Sequence, residues 1–214
     1  MEKKRLSKAM AAAGVASRRA CEELIFSGKV KVNGQIVTVP QTLVTWGKDE
    51  INVDGKTLER EQEKVYYILN KPTGYICSNK RVGRKKIIAD LFPPFQQKRL
   101  FTVGRLDRDT SGLLIVTNDG HFAQDVIHPS ANQIKEYLVK VTQEISHDHL
   151  VSITEGCFIE ETWVKPHAVN KVRRGTLKIQ VKEGKKREVR LLVEKAGLNL
   201  LSLERIRIGD LILG

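Results

Sequence analysis

Apolar residues recur along the chain with two different periods. In "LSKAMAAAG", Leu6, Met10 and Ala13 fall at helical spacing up to Gly14, which predicts a first helix capped by that glycine. Ser17 is placed to cap a second helix running to about Phe26, with Ala20, Cys21 and Leu24 inward and Gly28 ending it. The period then drops to two. "KVKVNGQIVTV" is a pair of alternating runs around Asn33-Gly34, and "EINVDGKTL" repeats the pattern around Asp54-Gly55. Both dipeptides accept the positive φ of a tight turn, so each predicts a hairpin. Residues 1–60 therefore read as a compact unit of two helices and a small sheet. The polar stretch "LEREQEKV" (Leu58–Val65) reads as a linker into a larger domain over 61–214.

In that larger domain "VYYILNKPTGYICS" predicts two strands split by a Lys71-Pro72-Thr73-Gly74 turn. "LLIVTNDG" reads as a buried strand ending in a turn, and "HFAQDVI" as a short helix stopped by Pro129. "KEYLVKVTQEI", "TLKIQVKEG" and "SLERIRIGDLIL" alternate as strands, whereas "REVRLLVEKAGL" has helical periodicity up to Gly197. His147 and His149 form the one close histidine pair; with no third ligand nearby they read as a solvated loop rather than a metal site. Strands and helices mix without regular βαβ alternation, which makes the fold class α+β.

Composition narrows the partners. With 41% hydrophobic and 29% charged residues the chain is ordinary for a globular protein, but 37 Lys+Arg against 25 Asp+Glu leave a net charge of +12. That excess points to a polyanion, nucleic acid before an anionic membrane. A spanning helix needs about 20 apolar residues, and no run approaches that length. The alanine-rich N-terminus is too weakly apolar for a signal peptide and reads as mature structure. Cys21, Cys77 and Cys157 are odd in number and far apart, which fits reduced thiols in a cytoplasm.

The positive charge is concentrated. Arg18 and Arg19 occupy the first turn of the second helix, where the helix dipole disfavours cations and acidic residues are usual. Lys3, Lys4, Arg5, Lys8, Lys29 and Lys31 lie in the same short span. A helix N-terminus flanked by arginines suits phosphate, so RNA or DNA contact is favoured over a merely solvated face. "NKRVGRKK" (Asn79–Lys86) is a second basic stretch, a solvated loop or a clamp on a nucleic-acid backbone.

The stretch "GRLDRDTSGLL" (Gly104–Leu114) packs two arginines with Asp107 and Asp109 between apolar runs. If the corner is extended, Arg105, Asp107 and Asp109 share a face. Three readings are open on physics alone: a structural Arg–Asp network, a carboxylate pair for glycosidase-like acid–base hydrolysis, or a single carboxylate nucleophile kept ionised by arginine.

"GRLDRDTSGLLIVTNDG" resembles the catalytic motif of the RsuA/RluB family of ribosomal RNA pseudouridine synthases. The likeness continues in order through "YYILNKPTGYICS", "HPS…KEYLVKV" and "EGKKREVRLLVEKAGLNLLSLERIRIGDL", and residues 1–60 resemble the S4 RNA-binding domain. It thus covers essentially the whole chain. It implies an S4-type αα-β domain followed by a catalytic domain with a central mixed, mainly antiparallel sheet flanked by helices. It also implies Asp107 as nucleophile, Tyr137 as the base-stacking tyrosine and Arg190 as the arginine that pairs with the nucleophile. Arg105 and Lys71 are then substrate-binding residues, and Lys4, Arg5, Lys8, Arg18, Arg19 and Lys29 are the candidates for RNA contact. Asp109 receives no catalytic role. Glu188, where many members have Gln, and His128-Pro129-Ser130 lean toward the RluB branch, which modifies large-subunit RNA.

The reaction so implied breaks the N1–C1′ bond of a uridine, turns the base and joins C5 to C1′. It is an isomerisation, so no cofactor is expected, nor a metal. The expected partner is ribosomal RNA or a ribosome-assembly intermediate, met by a cytoplasmic monomer without a membrane. Two other classes compete: a catalytically silent S4-containing assembly factor, and a glycoside hydrolase that would need both Asp107 and Asp109.

Overall fold

The computed structural model describes residues 3–81, 83–91 and 98–214; Val82, within the second basic stretch, lies outside them. The chain divides into two compact units.

The first unit takes in the chain to Val65 together with 98–100 and 118–120. Helices α1 (Leu6–Ala12) and α2 (Arg18–Phe26) pack beside the antiparallel strands β2 (Val30–Val32), β3 (Gln35–Ile36), β5 (Ile51–Val53) and β6 (Lys56–Leu58), while β1 (Lys4–Arg5) pairs with β4 (Leu43–Val44). The helical spacing produces the core directly: Leu6, Ala9 and Met10 from α1 meet Cys21 and Ile25 from α2 over Val30, Ile51 and Val53. The inward face of α2 is centred on Cys21 and Ile25, one step round from the expected Ala20, Cys21 and Leu24. Ser17 caps α2 through the Ala20 amide at 3.2 Å. The stretch expected as a linker is packed instead. Glu61 accepts from the Trp46 indole (2.8 Å) and from Lys4 (2.6 Å), and the Gln62 amide donates to Ala12. An acid placed between two donors is held, however polar its neighbours.

The second unit is built on an eight-stranded sheet. Its main path runs β13 (Ala168–Arg173), β14 (Thr176–Val181), β10 (Lys135–Val141), β15 (Leu200–Ile208), β9 (Ser111–Thr117), β7 (Tyr66–Lys71), with β8 (Phe101–Val103) on β9 and β16 (Leu211–Ile212) on β15. All pairings are antiparallel except β15 with β9, so the sheet is mixed and mainly antiparallel as expected. Helices α3 (Gly120–Ile127), α4 (His147–Glu155) and α5 (Glu188–Lys195) and the hairpin β11 (Cys157–Ile159)–β12 (Thr162–Val164) complete it.

Two expectations fail here. The histidine pair does not sit in a loop: Ser146 caps α4 through the His149 amide, and the His149 ring reaches back to the Ser146 amide at 3.1 Å. A capping box starts a helix that a search for apolar periodicity passes over. The segment after Lys71 is also no strand. The Gly74 backbone is taken by Arg108 of the corner and the Ile76 backbone by Lys86 and Ile88, which leaves only an isolated bridge between Ile76 and Ile87.

The one parallel junction depends on a glycine. Gly112 has φ +105°, and a Cβ there would meet the Arg205 backbone nitrogen at 2.7 Å and its carbonyl oxygen closer still. Only glycine lets β9 leave the charged corner flush against β15.

Candidate active site

The corner between β8 and β9 turns on the Thr110 amide, which donates to the Asp107 carbonyl at 3.2 Å. That i→i+3 bond folds the chain back on itself, so Asp107 and Asp109 diverge instead of sharing an extended face. Asp107 is half-buried and lines a cleft of about 770 Å³ with Arg105, Leu106, Tyr137 and Arg205. Asp109 is not part of that lining, which removes the paired-carboxylate reading.

The corner's backbone is held carbonyl by carbonyl. Leu106 accepts from the Cys77 thiol (3.3 Å) and returns its own amide to the same sulfur (3.3 Å). Burial pushes the Cys77 thiol up, which keeps it a protonated donor. Asp107 and Thr110 accept from the Lys71 ammonium at 3.0 and 2.7 Å. Arg108 accepts from Gly74 at 2.7 Å, and Asp109 from Arg190 at 2.8 Å. Each carbonyl from 106 to 110 thus has a donor from elsewhere in the fold. Unpaired buried carbonyls are costly, and paired ones fix the loop that presents Asp107.

Two residues therefore occupy places other than those expected. Lys71 is fully buried, its ammonium spent on Pro72, Asp107 and Thr110, so it holds the corner and is not available to substrate. Burial pushes its pKa below the ordinary lysine value, with Cys77, Asp109 and Asp107 opposing that shift. Arg190 pairs with Asp109 (3.1 Å) and Thr110 (3.0 Å), not with Asp107. The turn aims Asp109 back at α5, where Arg187 also lies 3.8 Å away, and leaves the Asp107 carboxylate without an ion pair among the described residues. Arg105 is exposed at the cleft, and Tyr137 is nearly buried along its wall.

Arg205 escapes a motif search. It is 4% exposed, donates from Nε to the Leu113 carbonyl (2.9 Å), and leaves a buried Nη2 without a partner while lining the cleft. The signal lies in the alternation of "SLERIRI": Leu203 and Arg205 share the buried phase, and an arginine on an apolar phase marks a committed charge. Lys71 shows the same sign on β7, in phase with Tyr67 and Leu69.

In the first unit Arg5, Arg18, Arg19 and Lys29 are exposed. Arg18 leans on Glu22 at 3.4 Å and Lys29 on Asp54 at 4.0 Å, pairs too loose and too wet to hold either. Lys4 differs: it is largely buried against Glu61 at 2.6 Å, which takes it out of the basic surface. Lys8 is half-buried on α1. Among the described residues no cluster of His, Cys, Asp or Glu is arranged for a metal, and no helix is long and apolar enough to cross a membrane.

A half-buried carboxylate on a braced corner thus shares one cleft with Tyr137, Arg105 and Arg205, on the mixed sheet of an α+β fold. Residues 65–195 match the RNA pseudouridylate synthase family, and residues 4–51 match the S4 domain. The chain belongs to the RNA pseudouridylate synthase family and carries an S4 domain ahead of the synthase region. It is 41% identical over 207 residues to the ribosomal large subunit pseudouridine synthase B of Bacillus subtilis, covering 94% of this chain and 84% of that protein. It is 47% identical over 223 residues to an Arabidopsis thaliana protein named as a candidate chloroplastic ribosomal large subunit pseudouridine synthase; 96% of this chain is covered, but only 54% of that longer relative. A crystal structure of a pseudouridylate synthase superposes with a TM-score of 0.68 at 29% identity, over 98% of this chain and 90% of the other.

Proposed function

We propose that the protein isomerises a specific uridine of ribosomal RNA, in the 23S RNA of the large subunit, to pseudouridine, with Asp107 as the nucleophile. The observation that carries this reading is the Asp107 corner: a half-buried carboxylate at the wall of a roomy cleft, on a loop whose five carbonyls are all held. A base must leave its stack to reach such a group, at a cost of a few kcal/mol. Tyr137 on β10 supplies a replacement stacking face, and Arg105, exposed at the cleft mouth, fills the vacated stack or grips a phosphate. Asp107 holds the sugar and base while N1–C1′ opens and C5–C1′ forms, after which C5 gives up its proton and N1 takes one from solvent. Lys71 and Arg190 act as positioning residues behind it. Mapping pseudouridines in ribosomal RNA with and without the protein tests the assignment, and an unchanged map overturns it.

Substitutions at Tyr137 separate stacking from proton transfer. Tyr137→Phe keeps the ring and is expected to retain activity within a few-fold, while Tyr137→Ala loses a stacking contribution of about 1–3 kcal/mol. Equal and severe losses in single-turnover assays would assign the work to the hydroxyl.

The S4 domain supplies sequence-independent affinity in this scheme. Charge reversal by Arg18→Glu/Arg19→Glu suits the helix dipole, so folding is preserved. RNA affinity is expected to fall, and the log–log salt slope to flatten by about 0.7–0.9 per lost phosphate contact. A salt titration measures both, and the single-turnover rate at saturating RNA should survive. The working unit is read as a cytoplasmic monomer, in keeping with three unpaired cysteines, two of them buried; light scattering of the purified chain checks the state.

A further inference from the structure

The hairpin β11–β12 carries an aromatic pair that no catalytic role uses. Phe158 and Trp163 are direct cross-strand partners, their rings edge to face with centroids 4.8 Å apart. They remain 67% and 52% exposed, while Cys157, Ile159 and Val164 on the other face are buried. The hairpin therefore has its core-facing side elsewhere, and the aromatic pair is outward by construction. Two adjacent exposed rings are an unfavourable way to finish a surface unless something covers them.

Beside Trp163 lies a recess of about 250 Å³, lined also by Lys165, Pro166, His167 and Lys182. It backs onto the Asp107 cleft, since Glu183 and Glu188 line both. The wall between them is the 182–188 segment, and it is braced: Lys135 donates to the carbonyls of Lys182 (2.8 Å) and Glu183 (3.4 Å), and the Glu188 carboxylate accepts from the amides of Gly184 and Lys185 (both 2.9 Å). Lys185, Lys186 and Arg187 face the cleft side of that wall, with Lys182 and Lys165 on the recess side. Glu183 offsets Lys185 at 3.2 Å, and the remaining cations leave the crossing basic.

From this adjacency and charge we propose that Trp163 is a second base-stacking platform. It holds an unpaired nucleotide of the substrate RNA that flanks the target uridine and crosses the 182–188 wall, with Lys165 and Lys182 receiving the phosphate. The proposal rests on the RNA substrate of the preceding section. A fixed indole face beside cations suits a nucleobase of any sequence. Phe158 braces the indole edge-on and so fixes the platform before RNA arrives.

The test uses the full chain, a 23S RNA fragment containing the target, and the variants Trp163→Ala, Trp163→Phe and Lys165→Glu/Lys182→Glu. Direct titration of RNA affinity is expected to show a loss of about 5- to 100-fold for Trp163→Ala, as for other stacked aromatics, with Trp163→Phe retaining most of it. The lysine reversal should weaken binding and flatten the salt slope. Substrate carrying 5-iodouridine beside the target should photo-cross-link to Trp163. Melting curves matching wild type show that the exposed positions do not act through folding. Unchanged affinity for Trp163→Ala overturns the proposal, as does a defect seen on ribosomal particles but not on naked RNA, which would assign the aromatic pair to a protein partner. If wild type binds the RNA but forms no pseudouridine, the proposed function fails, and the titration and cross-link still decide the stacking role.

Discussion

Replacing Asp107 by Asn is expected to lower the rate of pseudouridine formation by more than about a thousandfold, an increase of over ~4 kcal/mol in the barrier at 1.36 kcal/mol per decade. The amide keeps the volume and removes the charge and nucleophilicity. The corner should not move, because its donors bind backbone carbonyls and not the Asp107 side chain. RNA affinity and melting temperature should therefore stay near wild type. Single-turnover assays at saturating RNA check the rate, and activity within tenfold of wild type would sink the assignment. Asp109→Asn is the matched control. Its carboxylate belongs to Arg190 and lies away from the cleft lining, so the loss should be near tenfold and come from loosening of the corner.

Lys71→Met is expected to produce the largest effect on folding. The methionine fits the volume but leaves the carbonyls of Pro72, Asp107 and Thr110 without the ammonium that now bonds all three in a fully buried position. The Asp107 carbonyl keeps the Thr110 amide and Pro72 is exposed, so the buried Thr110 carbonyl is the one left orphaned, and a loss of about 1–3 kcal/mol is expected from urea denaturation. Activity should fall with it even where the variant remains folded, because the loop that aims Asp107 is no longer clamped. The pH dependence has a defined sign. Burial lowers the folded-state pKa of Lys71 below its ordinary 10.5, so the unfolded chain holds the proton to higher pH. Stability from this group accordingly rises as pH increases through the window between the lowered value and 10.5. The advantage of wild type over Lys71→Met should widen through that alkaline window. A constant difference between neutral and alkaline pH would mean the ammonium is not buried in solution.

Both expectations depend on how the site was assembled from local and distant information. Ser17, Asn33-Gly34 and Asp54-Gly55 act within a few residues, through caps and turn dihedrals, and their elements were legible in order. The Asp107 motif was legible through its likeness to a family, and so was Tyr137, although a strand tyrosine alone says nothing of what it faces. The roles of Lys71 and Arg190 were not. Substrate contact and pairing with Asp107 were expected, and each instead serves the corner, Lys71 from 36 residues away along the chain and Arg190 from 81. The single hydrogen bond from Thr110 to Asp107 made the difference, since it turned an assumed extended corner into a reversal. His149 was missed as a helix start for a related reason: a cap is a local polar exchange without apolar periodicity.

By itself the sequence determined the α+β class, the two helices and hairpins of the S4 region, and the excess of positive charge. These follow from periodicity, turn chemistry and residue type, which are properties of neighbours along the chain. The tertiary structure alone decided which charges meet. It placed Asp109 against Arg190, Lys71 beneath the carbonyls of Pro72, Asp107 and Thr110, Arg205 at the cleft wall beside Gly112, and Trp163 beside a recess that shares Glu183 and Glu188 with the Asp107 cleft. Such pairings are set by strand register and by the direction of a single turn. A shift of one residue in either would send each of those side chains to another partner.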